Sequence, residues 1–385
     1  LTFFMLIVIA PNAYKESLAA WDAARAIASG IRQAAPAAEC ILMPMADGGD
    51  GTMDTLVRGT GGRRCRSTVQ DPLGRDIQAR FGLLGNGDEA VIESAESSGL
   101  RLLQDSEKNP MRTSTFGVGQ LMQAALKRGA TRLIVGVGGS ATVDGGMGMA
   151  AALGYRFLDV HGKLLKPCGG NLHKIARIDA SDYDKWRAGL ERDFEISVAC
   201  DVTNPLLGKK GAAAIFGPQK GATPKQVEQL ETGLAKLAEC VKQDLGISLA
   251  RKKRAGAAGG LAGGLHAFCG ARLEAGAEVI AREIELEVAI ARADWVITGE
   301  GRIDRQTAYG KAPAEVATIA ARHHVPVIAI AGSVDPTASA LYKRGFHSLW
   351  SLCDGPMSLR QAMDNAPRLL RQCGRAIAGI IQAAR

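Results

Sequence analysis

Aromatic residues make up only 5% of this 385-residue chain. Stacking platforms for nucleobases are therefore scarce, which counts against a nucleic-acid binder. No uncharged apolar run reaches the roughly 18 residues that a membrane span requires. The longest early run, Leu1 to Ala10, ends at Pro11 and has no Lys or Arg before it, so it does not read as a secretory leader. The eight cysteines are scattered, without CxxC or Cys/His spacing suited to zinc. They are expected to be reduced core thiols in a cytoplasmic protein. HExxH, GxxxxGK[ST], HRD and DFG are all missing, and no histidine accompanies a Ser or Cys elbow. Zinc proteases, Ser and Cys hydrolases, Walker A NTPases and protein kinases are thereby set aside.

What the chain has in excess is glycine, 47 residues against 14 prolines. That is about 12%, where about 7% is usual. A three-residue period is absent, so collagen is excluded. The surplus must serve tight turns or places where backbone approaches a ligand. A balance of 47 basic against 39 acidic residues leaves +8. The one basic run, Arg251 to Arg254, reads as a solvated loop, and the surplus suits small anions at least as well as a polymer.

At about 150 residues per domain the length suggests two or three domains. Short β-rich runs alternate with Ala-rich helical stretches, the pattern of an α/β protein. Leu6 to Ala10, Ile41 to Met45, Trp295 to Thr298, Val327 to Ala331 and Ser348 to Leu352 read as five strands of one parallel sheet. Ser17 is placed to cap a helix carrying Trp21, Ala24, Ile27 and Ile31 at helical spacing. In the middle, the turn Asp71-Pro72-Leu73-Gly74 precedes an alternation of Ile77, Ala79, Phe81 and Leu83, as in an antiparallel strand. The expected architecture is a discontinuous Rossmann- or flavodoxin-like domain, 1–70 plus 286–385, with an inserted mixed α/β domain, 71–285. The active site is expected in the cleft between them.

Five segments join glycine to charged or amide residues beyond or beside predicted strands, where open α/β sheets bind ligands. Ala46 to Thr52 offers Gly48 and Gly49 to a phosphate, with Asp47 and Asp50 for a metal or a hydroxyl. Gly136 to Gly146 contains Gly136, Gly138 and Ala141 in the dinucleotide spacing GxGxxA, with Asp159 near the place of a ribose-binding acid. That spacing raises a nicotinamide-dependent dehydrogenase. Against it stand the motif's mid-chain setting and Asp144 just inside the expected helix start, where it would repel a pyrophosphate. Asp201 and Asn204 follow the strand Ile196 to Ala199, and Lys220 sits in the constrained turn Phe216 to Ala222. Ile297 to Asp304 puts Glu300, Arg302 and Asp304 on a glycine-hinged loop, with Gly310-Lys311 following. Together these supply what phosphoryl transfer needs: phosphate cradles, carboxylates and fixed cations.

The ordered segments ADGGDGT (46–52), GVGGSAT with the later DGG (136–146), ACDVTNPL (199–206), FGPQKGAT (216–223), AGAAGG (255–260) and ITGEGRID (297–304), with the opening pattern around Lys15, resemble the bacterial glycerate kinase family, type I. The resemblance is collinear over essentially the whole chain. It implies ATP- and Mg²⁺-dependent phosphorylation of D-glycerate, to 2-phosphoglycerate in members close to this pattern, by two α/β domains. The matching residues include Lys15, Ser17, Asp47, Asp50, Ser140, Asp144, Asp201, Asn204, Lys220, Glu300, Arg302, Asp304 and Lys311. Asn12-Ala13, Val143, Lys253-Arg254 and Tyr309 depart from the family's usual Asp-Ser, Asn, Pro-Gly and His.

Chemistry then distributes the roles. Arg302 or Lys15 would hold the glycerate carboxylate, and Asp47, with Asp201 second, would accept or orient the attacking hydroxyl. Asp50, Glu300 and Asp304 are the metal candidates. Gly48, Gly49, Gly138, Gly139, Ser140, Lys220 and Lys311 are the candidates for nucleotide phosphates. The competing readings are phosphorylation of the 3-hydroxyl or of a related hydroxy acid, the dehydrogenase, and a silent metabolite-binding regulator. Partners are expected to be ATP and D-glycerate, with no nucleic acid or membrane, and with room for a homodimer.

Overall fold

The structure, a computed structural model, describes residues 5–308 and 311–383; Tyr309 and Gly310 lie outside them. The strands, in chain order, are β1 (Met5–Pro11), β2 (Ala38–Leu42), β3 (Arg63–Gln70), β4 (Asp76–Leu83), β5 (Glu89–Glu93), β6 (Arg132–Gly136), β7 (Arg156–Leu158), β8 (Arg177–Asp179), β9 (Glu195–Ala199), β10 (Arg272–Glu274), β11 (Trp295–Ile303), β12 (Val327–Val334) and β13 (Phe346–Ser351). By contact the chain forms two compact units, Leu1–Asp47 with Gly276–Arg385, and Gly48–Ala275.

The first unit is built on a parallel sheet ordered β13-β12-β11-β1-β2, drawn from both ends of the chain. β1 is buried along its whole length, because its apolar run pairs with β11 on one side and β2 on the other. The helix Ala20–Ala34 buries Ala24, Ile27 and Ile31 and packs against the helix Ala366–Ala383. Ser17 does not cap it. The helix begins at Ala20 after Ala19, and the Ser17 hydroxyl instead donates to the Met363 carbonyl at 2.9 Å.

Two other local expectations are corrected here. β2 ends at Leu42 rather than Met45, but the chain beyond it stays beside β1, with Met43 N–H on Ile9 O and Met45 N–H on Pro11 O. Gly299 to Ile303 is not a loop but the end of β11. It continues as strand because β12 runs alongside as far as Val334.

The second unit centres on a mixed sheet ordered β10-β9-β6-β5-β4-β3. β10, β9, β6 and β5 are parallel, while β4 is antiparallel to both β5 and β3. The alternation at 77–83 is the signature of β4, whose Ala79, Phe81 and Leu83 are buried. A capping box from Thr223 and Gln226, with Pro224 at the first turn, starts the long helix Pro224–Leu245, and Gly246 ends it in a left-handed conformation. Its Leu230, Leu234, Leu237 and Val241 are buried on one side at helical spacing.

By contact the unit limits fall at 47/48 and 275/276. β3 pairs with β4 from Arg63 to Gln70, and the helix Thr52–Gly59 packs on β4 and β5, which draws residues 48–70 into the second unit. The helix Gly276–Glu283 packs on the helix Ala312–Arg322 of the first. All eight cysteines are free. No helix among the described residues is long and apolar enough to cross a membrane.

Candidate active site

In the first unit the functional groups gather past the carboxyl ends of β1 and β2 and along β11. Asn12 follows β1, is 6% exposed, and donates its backbone N–H to Gly299 O. Its Oδ1 accepts the Ala13 N–H at 2.8 Å, so the amide nitrogen must face the other way, where it lies 3.4 Å from Asp47 Oδ2. The backbone donor settles the amide orientation, and the amide in turn orients Asp47. Tyr14 is buried, and its hydroxyl donates to Ile330 O at 2.7 Å; burial pushes that phenol up. Lys15 and Glu16 stand exposed on the turn closed by Tyr14 and Leu18.

Glu300 points from β11 into a buried position. Its Oε1 accepts from the Thr307 hydroxyl at 2.8 Å and lies 3.7 Å from Lys311 Nζ. Burial raises its pKa, with the Asp47 charge adding to the effect, while Lys311, Thr307 and Lys15 oppose it. Arg302 is turned outward, 65% exposed, to Asp335 at 3.1 Å and Asp304 at 3.5 Å. The sequence reading missed Thr307 and Asp335. Thr307 closes the turn from Asp304 through mutual hydrogen bonds, a local signal that could have been found.

In the second unit the two glycine loops lie backbone on backbone. Gly138 N–H donates to Gly48 O at 3.2 Å, and a Cβ on Gly138 would sit 2.6 Å from the Gly49 Cα. Asp50 is exposed beside Gly139. The N–H groups of Gly139 and Ser140 meet no protein acceptor among the described residues, an arrangement suited to an anion. Ser140 Oγ is a hub. It lies 3.0 Å from Thr142 Oγ1, 3.2 Å from both Thr142 N and Lys220 Nζ, and 3.4 Å from Ala258 O. Lys220 is 2% exposed and also donates to Thr142 O at 2.6 Å, so its ammonium ends on the loop and not at the surface.

Several other candidates are held as follows. Asp144 is fully buried and accepts from Thr115 N–H and hydroxyl and from the N–H groups of Gly146 and Gly148. It lies before the helix Met147–Ala152, not inside its start. Asn204 donates to Lys210 O, while Asp201 is exposed. Asp159 closes the turn 159–163 that follows β7 by accepting from His161 and Lys163 N–H. With no helix starting directly behind 136–141, the dinucleotide fingerprint lacks its context. From the basic run, Arg254 turns inward to Cys200 O.

Glu93, at the end of β5, was also missed. It is 5% exposed, and its Oε1 accepts the Met53 N–H at 2.7 Å. Burial, helped by the Asp50 and Glu96 charges, pushes its pKa up to about 7. The folded state therefore holds a proton that the unfolded state has released between about pH 4.5 and 7, and stability falls as pH rises through that window. The cost above pH 7 is at most about 3 kcal/mol. Glu93→Gln keeps the acceptor without the charge. It is expected to melt above the parent at pH 8 and level with it near pH 4, measured by thermal unfolding. A variant that melts lower at both values would contradict this.

Among the described residues no three His, Cys, Asp or Glu side chains form a metal cluster. A Mg²⁺ ion needs only one or two carboxylates when phosphates complete its shell, so the donors present are compatible with it.

The profile of the glycerate kinase family matches residues 7–382. A glycerate kinase of Bacillus subtilis (strain 168) is 44% identical over 381 residues, 99% of each chain. A glycerate 2-kinase of Escherichia coli (strain K12) is 41% identical over 377 residues, 98% of each. A crystal structure from Salmonella typhimurium LT2, provisionally described as a glycerate kinase 2, superposes with a TM-score of 0.88 at 43% identity, covering 99% of both chains.

Proposed function

The chain belongs to the glycerate kinase family, and from that premise we propose that it transfers the γ-phosphoryl group of ATP to the 2-hydroxyl of D-glycerate. The observation that carries the chemistry is the oriented Asp47 carboxylate past the carboxyl ends of β1 and β2, with Glu300 and Lys311 on the same unit. The choice of the 2-hydroxyl rests on likeness to the Escherichia coli glycerate 2-kinase.

Asp47 takes the proton of the attacking hydroxyl as the new O–P bond forms and the bond to the ADP oxygen breaks. Asn12 holds the carboxylate that receives it. Arg302 already answers Asp304 and Asp335, which favours Lys15 for the glycerate carboxylate. Backbone N–H groups of Gly139 and Ser140 would bind nucleotide phosphates, with Gly48, Gly49 and Gly138 letting the backbone come close. Glu300, Asp304 and Asp50 are the carboxylate candidates for Mg²⁺. When bound, the ion neutralises charge on the phosphates.

Incubation with MgATP and D-glycerate, followed by phosphorus NMR, tests the reading. The expected product shows phosphorus coupled to a single proton, as at C2. Coupling to the two protons at C3 would mean the 3-hydroxyl is the acceptor. No glycerate-dependent ADP would overturn the kinase reading itself.

A further inference from the structure

Lys220 is the one group of the glycine-loop set whose placement ordinary packing does not account for. A lysine is seldom fully buried without a carboxylate on its nitrogen. Here the side chain is 2% exposed, and its Nζ ends on a hydroxyl and a carbonyl, Ser140 Oγ at 3.2 Å and Thr142 O at 2.6 Å. Both acceptors belong to the turn whose Gly139 and Ser140 N–H groups have no acceptor among the described residues. The charge is thus set directly behind a ready anion site, one residue away from any ligand that could occupy it.

We propose, on the reading that this turn takes nucleotide phosphate, that Lys220 is a positioning residue which answers the bound phosphate through Ser140 and holds the turn 138–142 in its binding form.

The groups facing the amine are few. Ser140 and Thr142 are neutral, and Ala258 contributes a carbonyl to Ser140. Asp144 is the carboxylate whose charge reaches it, but four donors from Thr115, Gly146 and Gly148 already occupy that carboxylate. Lys108, whose backbone lies against Gly221, sends its own ammonium out to Asp105. Burial pushes the Lys220 ammonium down to about 7 against the pull of Asp144. An anion on the turn favours the charged form, so at pH 8 binding must draw a proton onto Lys220. Nucleotide binding and protonation are therefore linked.

The test is calorimetric titration of the full chain with MgADP at pH 8 in buffers of different ionisation enthalpy. The parent is expected to take up a large fraction of one proton per nucleotide. Lys220→Met is expected to take up close to none and to bind about tenfold or more weakly, as the loss of a charged donor implies. Its melting curve shows whether it is folded. Should it fail to fold, Ser140→Ala decides, with binding about tenfold weaker expected. A folded Lys220→Met with the parent's proton uptake, or a Ser140→Ala that binds as the parent does, overturns the proposal. A parent that binds no MgADP brings down the nucleotide reading of the turn as well.

Discussion

Asp47→Asn is expected to phosphorylate D-glycerate about a hundred- to a thousandfold more slowly than the parent, with KM for glycerate little changed. The magnitude is that of a positioned proton acceptor. It lies below the top of that range because phosphoryl transfer is loose and the proton leaves late. Asn keeps an oxygen that can accept from the Asn12 amide at the same place, so the loop that follows β2 retains its shape. The melting temperature should therefore stay within about 2 °C. A coupled ADP assay with a parallel thermal scan checks both. A variant within tenfold of the parent in kcat would show that Asp47 only shapes the site and that the proton goes elsewhere.

The second large effect is one of backbone space. Gly259 has φ +68°, and a Cβ there would fall 1.9 Å from the Thr142 carbonyl oxygen and 2.7 Å from the Val143 Cα. Gly259→Ala would combine the left-handed cost for an L-residue with overpacking, together about 3–4 kcal/mol. In a unit of this size that lowers the melting temperature by roughly 10 °C. The displaced carbonyl is also the closer of the two Lys220 acceptors. MgADP binding should therefore weaken by at least about tenfold in the fraction still folded at 20 °C. A variant melting within about 2 °C of the parent would mean that the 140–143 backbone retreats at no cost.

Strand identity was largely legible, because parallel strands buried on both faces need unbroken apolar runs, as in β1 and β12. Strand ends were less legible, because a strand lasts as long as its neighbour does. Gly299 to Ile303 looks like a loop by composition and is strand only because β12 accompanies it. Ser17 has the chemistry of a cap, but its hydroxyl meets Met363, 346 positions away, and no local rule foresees that. The site shows the same division. Residue types at the glycine loops were readable, and so was Asp47 as an acid beyond a strand. Their partners were not. Glu93 meets Met53 across 40 positions and Lys220 meets Ser140 across 80. Arg302 reads from the sequence, with Lys15, as a candidate clamp, but its neighbours Asp304 and Asp335 are set beside it by the fold.

The order of the first sheet also governs how the protein is made. β1 lies between β11 and β2, so only one of its edges finds a partner early in synthesis. The other waits for Trp295 to Ile303, about 280 residues later, which at roughly 5–20 residues per second is tens of seconds. During that time the edge of Met-Leu-Ile-Val-Ile-Ala-Pro stays open, the kind of sequence that pairs with the wrong strand when left uncovered. On the ribosome the first unit begins first and is completed last.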